Sequence, residues 1–258
     1  MNEPAAVMLS VHDITWRYSS RHSPILKNLS FSLPQGALCM ILGANGAGKS
    51  TLLKLLAEKL SCQQGLVSRG GDIAFVPQRT TVSLAVSVYE TVLVGRSAHV
   101  GLLRAPNHQD CRICEEALCR VGLQHMASRE FSSLSGGEQQ LVLMAQALAS
   151  EARIILLDEV TAAMDWRNQA TILRLLQDLA RQDYTISFIT HSPQHALDFA
   201  THCLLMFPEG DSLFGSPSKI ITDETMSRLY RLPVRCTVIE DRWVVVPQFI
   251  QKQGVSIP

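Results

Sequence analysis

Residues 37–56 read ALCMILGANGAGKSTLLKLL, and the rest of the chain can be placed outward from this stretch. Ala37–Leu42 is apolar throughout, too continuous for the in–out alternation of a half-exposed strand, so it predicts a strand covered on both faces. It runs directly into Gly43–Ser50, which fits G-x-x-x-x-G-K-[ST], and then into a helical pattern over Thr51–Leu60. A strand, a Gly-rich turn and a helix in that order form the context that a phosphate-cradling loop needs. Glycine lets the backbone wrap close to an anion, and the N–H groups at the helix start point at it along a favourable dipole. Lys49 adds a positive charge for β- and γ-phosphate oxygens, and Ser50 offers a hydroxyl to Mg²⁺. The candidate nucleotide-binding residues are therefore Gly43, Ala44, Asn45, Gly46, Ala47, Gly48, Lys49, Ser50 and Thr51.

Upstream, Val7–Tyr18 and Leu26–Leu33 alternate apolar and polar residues and read as antiparallel strands. Downstream, Asp72–Pro77 is another strand. From about Ser87 to Ser150 the periodicity is helical, with loop-like breaks at 101–109 and 132–138. Strand signals return at Arg153–Leu157, Thr185–Thr190 and Cys203–Phe207, separated by helices over Trp166–Gln182 and His195–Phe199. A helix at Asp223–Tyr230 and short β segments at Val234–Ile239 and Arg242–Val246 follow. This alternation implies an α/β fold with a mostly parallel sheet covered on both faces. The expected organisation is one domain over 1–258. Its parts are a core from 1–86 and 151–210, a helical insert at 87–150, and a small extension at 211–258.

Composition removes several classes. The 258 residues carry 23 Lys+Arg against 23 Asp+Glu, so no electrostatic footprint for nucleic acid exists. With 47% hydrophobic and 18% charged residues the chain is core-rich, not disordered. No apolar run approaches the roughly 18–20 residues of a membrane span, and Met1–Ser10 does not read as a secretory signal. The reading is thus of a cytoplasmic chain with free thiols. His108, Cys111, Cys114 and Cys119 resemble a metal set, but on a helix Cys111 and Cys119 lie about 12 Å apart along the axis, which one zinc cannot span. They read as buried or half-buried helix cysteines. His191 and His195 form an i, i+4 pair, which Pro193 between them weakens as a metal site.

Two further constellations carry chemistry. Asp158 and Glu159 close the apolar strand RIILL, an arrangement that sets one carboxylate beside Mg²⁺ and the other within reach of an attacking water. Ser135–Gln139 (SGGEQ) opens a helix with small residues, which makes either a plain helix cap or a second anion site. One nucleotide does not need two such sites, and a dimer in which the second site caps the partner's nucleotide explains both.

GANGAGKS, Gln78 in FVPQ, LSGGE, IILLDE, Asp165 in TAAMD and His191 in ITHS occur in that order. The series resembles the ATPase subunit of an ABC transporter. The resemblance implies a RecA-like P-loop NTPase core with an antiparallel β subdomain and an inserted α-helical subdomain, using ATP and Mg²⁺. By that resemblance Tyr18 stacks on adenine, and Gln78 contacts Mg²⁺ and the attacking water. Glu159 is the general base, His191 contacts the γ-phosphate, and Ser50, Gln78 and Asp158 serve the Mg²⁺. Ser135, Gly136, Gly137 and Glu138 form the signature that binds ATP held by the other subunit, and Asp165 lies in the loop linking the two sites. Val160, Met164, Gln139 and Gln146 depart from the family's usual residues without removing a charge that acts on the phosphates.

Residues 89–110 (YETVLVGRSAHVGLLRAPNHQD), 165–169, 192–197 and 229–247 resemble importer ATPases serving iron–siderophore, haem, cobalamin or molybdate permeases, with zinc and manganese importers sharing part of the pattern. The resemblance implies a homodimer under two integral-membrane permease subunits, coupled through the surface around Thr80–Arg104. It further implies indirect dependence on a substrate-binding protein, no nucleic acid, and a peripheral place on the cytoplasmic face of the inner membrane. A soluble ABC protein of translation or repair would carry paired domains or a long coiled-coil insert, and a non-catalytic nucleotide module would lack Lys49, Glu159 or His191.

Overall fold

A computed structural model describes residues 6–19, 21, 23–78, 86–100, 105–162 and 164–249. In chain order it begins with strands β1 (Val7–Trp16), β2 (Leu26–Pro34) and β3 (Leu38–Gly43), then helix α1 (Lys49–Leu56) and strands β4 (Gln64–Arg69) and β5 (Ile73–Val76). The helical stretch holds α2 (Val88–Leu93), α3 (Ser97–Val100), α4 (His108–Arg120) and α5 (Gly136–Ala149), with 3₁₀ turns at Val94–Arg96, Gln124–Met126 and Phe131–Ser133. Then come β6 (Ile154–Asp158), α6 (Trp166–Arg181), β7 (Thr185–Ile189), α7 (Pro193–Phe199), β8 (His202–Met206), β9 (Ser212–Gly215), α8 (Pro217–Ile220), α9 (Asp223–Tyr230), β10 (Val234–Ile239) and β11 (Arg242–Pro247).

The central sheet has the order β5-β6-β7-β3-β8-β9, parallel except for the last pair, β8 with β9. Its two faces feed two cores. Leu38, Met40 and Leu42 of β3, with Ile155 and Leu157 of β6, join the helices of the insert and α6. Cys39 and Ile41, with Ile154 and Leu156, join α1 and the antiparallel sheet β2-β1-β4. A strand whose alternate residues enter different cores has no polar face, which is why ALCMIL runs unbroken.

The sheet aligns the chemistry. Ile41 pairs with Ile189, and Asp158 pairs with Ile189 on the other side, so β3, β6 and β7 end at one level. In open α/β sheets ligands bind beyond the carboxyl ends of the strands. Gly43–Ser50, Asp158–Glu159 and His191 all leave from those ends.

Several sequence expectations shift. The helix expected at Thr51–Leu60 starts at Lys49 and stops at Leu56. Glu58 there turns to φ 58°, and the N–H groups of Lys59 and Leu60 fold back onto the Lys54 carbonyl. α4 and α5 begin inside the two expected breaks, because Asn107 and Ser135 act as N-caps with full capping boxes. Strands β4 and β9 were not anticipated. Cys119 is exposed, unlike the buried Cys114 and half-buried Cys111 on the same helix. Within the surface expected around Thr80–Arg104, residues 80–85 and 101–104 lie outside the described residues. Among the described residues no helix is long and apolar enough to cross a membrane.

Candidate active site

The loop after β3 turns through Gly46 at φ 83° and Gly48 at φ 92°, and Gly48 is the residue preceding α1. A Cβ on Gly48 would stand 2.4 Å from Ile25 Cγ2, so both its conformation and its packing require glycine. α1 therefore starts with open backbone N–H groups at the loop. Lys49 is 5% exposed and donates from Nζ to the carbonyls of Gly43 (2.8 Å) and Ala44 (3.0 Å). Those two bonds aim the ammonium into the loop and leave its third N–H for an anion. Burial pulls the Lys49 pKa down, while the Glu159 and Asp158 carboxylates oppose that shift.

Ser50 Oγ donates to Asp158 Oδ1 at 3.2 Å, joining the helix start to the end of β6. Burial raises the Asp158 pKa and the Ser50 bond counters it. A hydroxyl and a carboxylate side by side supply the oxygen donors that a hard cation such as Mg²⁺ prefers.

Glu159 is the centre of the site. It adopts φ 50°, a left-handed conformation that a non-Gly residue holds only when its surroundings impose it. Gln78 Nε2 donates to Glu159 Oε2 at 2.9 Å, and His191 Nε2 meets Glu159 Oε1 at 2.8 Å. Since a carboxylate only accepts, Gln78 presents its amide NH₂ inward and keeps its carbonyl oxygen free to turn to a cation or water. One carboxylate is thus held from two loops, each following a different strand.

Tyr18 is 62% exposed just beyond β1, with its hydroxyl 2.9 Å from Thr51 Oγ1 and its ring edge-on to Trp16 at 4.5 Å. Its ring remains accessible to a flat partner beside the loop. Ser135, Gly136, Gly137 and Glu138 form the first turn of α5. The Glu138 carboxylate accepts from Ser135 Oγ (2.7 Å) and Ser135 N (2.8 Å), which hold its pKa below the usual range. These bonds close within the turn. A Cβ on Gly136 would meet open space, and one on Gly137 would stand 3.3 Å from Asn168 Nδ2. Asn168 N in turn donates to Asp165 Oδ1 at 2.8 Å, the N-cap of α6, so the signature turn and Asp165 are neighbours.

The His191–His195 pair is not assembled. α7 starts at Pro193, after His191, and His195 Nδ1 turns instead to Thr190 Oγ1 at 3.2 Å. Two polar residues that sequence reasoning missed also touch the site. Gln140 Nε2 donates to the Gln78 backbone carbonyl at 2.6 Å, and Tyr230 Oη donates to the His191 backbone carbonyl at 3.3 Å. Neither carries a sequence signal, because each is an ordinary helix residue until the tertiary structure brings it there.

A family model described as ABC transporter matches residues 26–162, more than half of the chain. The chain belongs to that family. It is an ATP-binding subunit and an ATPase of the ABC type. The molybdate import ATP-binding protein MolC of Haemophilus influenzae is 40% identical, covering 88% of this chain and 89% of its own. The ferric enterobactin transport ATP-binding protein FepC of Escherichia coli is 33% identical, covering 84% of each. A metal-chelate-type ABC transporter solved in an inward-facing conformation aligns with a TM-score of 0.87 at 38% identity, covering 93% of this chain and 96% of that one.

Proposed function

We propose that this ABC subunit is the motor of a membrane importer for a metal chelate such as an iron–siderophore, haem or cobalamin-like compound. It works as a head-to-tail homodimer that sandwiches two ATP molecules beneath two permease subunits, which receive cargo from a substrate-binding protein. The subunit is peripheral, on the cytoplasmic face of the inner membrane. The observation that carries the motor reading is Glu159, held by Gln78 and His191 beside a loop already furnished with Lys49 and the Ser50–Asp158 pair.

In this reading adenine lies on the open face of Tyr18. The loop N–H groups and Lys49 hold the β- and γ-phosphates. Ser50 and Asp158, with the Gln78 side-chain carbonyl oxygen, would hold Mg²⁺, which would neutralise charge on the phosphate oxygens. Glu159 accepts a proton from water as its oxygen attacks the γ-phosphorus, the bond from that phosphorus to the β,γ-bridging oxygen breaks to release ADP and phosphate, and His191 moves to the γ-phosphate. Ser135, Gly136, Gly137 and Glu138 complete the partner's nucleotide site, and Asp165 joins the two sites. The segment 87–150 acts as the signature subdomain that passes the motion to the permease. A molybdate-like oxyanion is the second reading of the cargo, supported by the similarity to MolC.

Steady-state ATP hydrolysis measured against protein concentration tests the motor. The rate is expected to rise more steeply than concentration, and Glu159→Gln to lower it by about 10²–10⁴-fold with nucleotide binding kept. A rate indifferent to Glu159 would remove the base assignment. Uptake of labelled molybdate against a labelled ferric chelate, in vesicles carrying the chain with its permease, decides the cargo.

A further inference from the structure

The C-terminal segment after β9 contributes no residue to the nucleotide site in the reading above, yet it is attached to the element that carries His191. Tyr230, the last residue of α9, donates its hydroxyl to the backbone carbonyl of His191 itself. The β10–β11 hairpin grips α7, which starts two residues after His191. Arg242, the first residue of β11, makes a two-point contact with the Asp198 carboxylate on α7, its Nε 3.1 Å from Oδ1 and a terminal nitrogen on Oδ2. Gln194 Nε2 bonds both the Trp243 carbonyl (2.9 Å) and Asp198 Oδ1 (3.0 Å), tying hairpin and helix together again. Asp198 is largely covered, with its side chain 17% exposed, and a forked guanidinium–carboxylate pair fixes orientation as well as distance. Arg242 also lines the same open cleft of about 790 Å³ as Glu159, Trp166 and His191.

We propose that the C-terminal hairpin is a brace for His191. Arg242, Trp243 and Tyr230 are positioning residues that hold α7 and the preceding loop so that His191 Nε2 sits 2.8 Å from Glu159 Oε1. The proposal rests on the reading of Glu159 and His191 given above. Arg242 and Asp198 bond to each other and, from Asp198, to Gln194, not to the loop Gly43–Ser50, so releasing them leaves the loop's hold on ATP in place and misplaces the histidine. Displacements of about 1 Å in a reacting site can cost up to about 10²-fold in rate.

The test is hydrolysis by the full chain as wild type, Arg242→Asp, Asp198→Arg and the double Arg242→Asp/Asp198→Arg, with melting temperature and ATP affinity measured on each. Each single variant is expected to lose about tenfold in kcat with KM for ATP and ATP affinity within about twofold. The double variant, which restores the pair with its charges exchanged, is expected to recover most of that loss. Tyr230→Phe, which removes only the hydroxyl, is expected to lower kcat severalfold at unchanged KM. Singles that keep wild-type kcat while Glu159→Gln is inactive would overturn the brace alone. Singles whose kcat falls only in step with melting temperature, without recovery in the double, would assign the hairpin a purely structural role and overturn it too. A wild-type chain that does not hydrolyse ATP would overturn the active-site reading and the brace with it.

Discussion

Asp158 and Glu159 are adjacent carboxylates with separate environments. Asp158 ends a strand and is buried beside Ser50, and that burial raises its pKa in the folded chain. Folding therefore favours its protonated form. Its contribution to stability is full below the ordinary carboxylate range, near pH 4, and is lost as pH climbs through the raised folded value. At pH 7 the ionised group costs stability, which a bound cation would relieve. Asp158→Asn keeps an acceptor for Ser50 and removes the charge. The nucleotide-free variant is expected to melt a few degrees higher than wild type at pH 7, with the gain shrinking as pH falls toward 4, and to lose Mg²⁺-dependent hydrolysis. Melting curves across that pH range, beside an ATPase assay, check both halves. An Asp158→Asn chain that melts lower at pH 7 would show the carboxylate to be structural.

At the level of elements, α5 shows how much a polar helix end needs from its neighbours. Its N-terminus is satisfied by the Ser135–Glu138 box, and its C-terminus by Arg96, which donates to the Ala149 carbonyl while pairing with Asp110 and Glu151. Arg96 reaches that carbonyl because Gly95 lets its turn lie against α5; a Cβ there would stand 2.2 Å from the Gln146 carbonyl oxygen. Gly95→Ala is expected to cost about 1–3 kcal/mol in chemical denaturation by forcing the turn off the helix, with the slope of the transition unchanged. The Gly95–Arg96 pair was legible in the sequence only as part of a resemblance, since nothing in its spacing announces a helix C-terminus 53 residues after Arg96. β3 and β6 were legible because burial on both faces keeps their interiors apolar, and β7 because only the small, buried Thr185 and Ser187 interrupt its apolar run. β4 and β9 were not. Of Gln64–Arg69 only Val67 is fully buried, and no residue of Ser212–Gly215 is, so neither carries the alternation by which an edge strand is recognised. The chemistry of Lys49, Ser50, Asp158 and Glu159 was readable because phosphate binding dictates residue type at fixed spacing. The ties from Gln140, Tyr230 and Arg242 were not, because those residues acquire their partners only through the tertiary fold.

In the proposed function two helix starts, α1 and α5, each meet a nucleotide, but the described residues hold one set of Lys49, Asp158 and Glu159. If the α5 start serves a second copy, the defects of two inactive variants can be separated onto different sites. In a head-to-tail pair each site combines Glu159 of one chain with Ser135 of the other. A Glu159→Gln chain paired with a Ser135→Arg chain has one site damaged twice, while the other contains an unaltered Glu159 and an unaltered Ser135. Each variant alone is expected to be inactive, and their equimolar mixture to regain activity. Random pairing puts half of the dimers in the mixed form with one of two sites intact, so the ceiling is about a quarter of the wild-type rate if the sites act independently. A signature that served its own chain's nucleotide would give no recovery at any mixing ratio. Trp166 offers an optical report on the same event: it is 89% exposed and follows Asp165, the residue next to the signature turn through Asn168. Closure of the pair should bury it, so its emission in the Glu159→Gln chain is expected to shift to the blue on adding ATP, in step with a doubling of mass from 28.5 kDa in light scattering. Recovery by mixing without that mass change would place the two sites in contact only during turnover, whereas mass doubling without recovery would mean that the copies meet through another face.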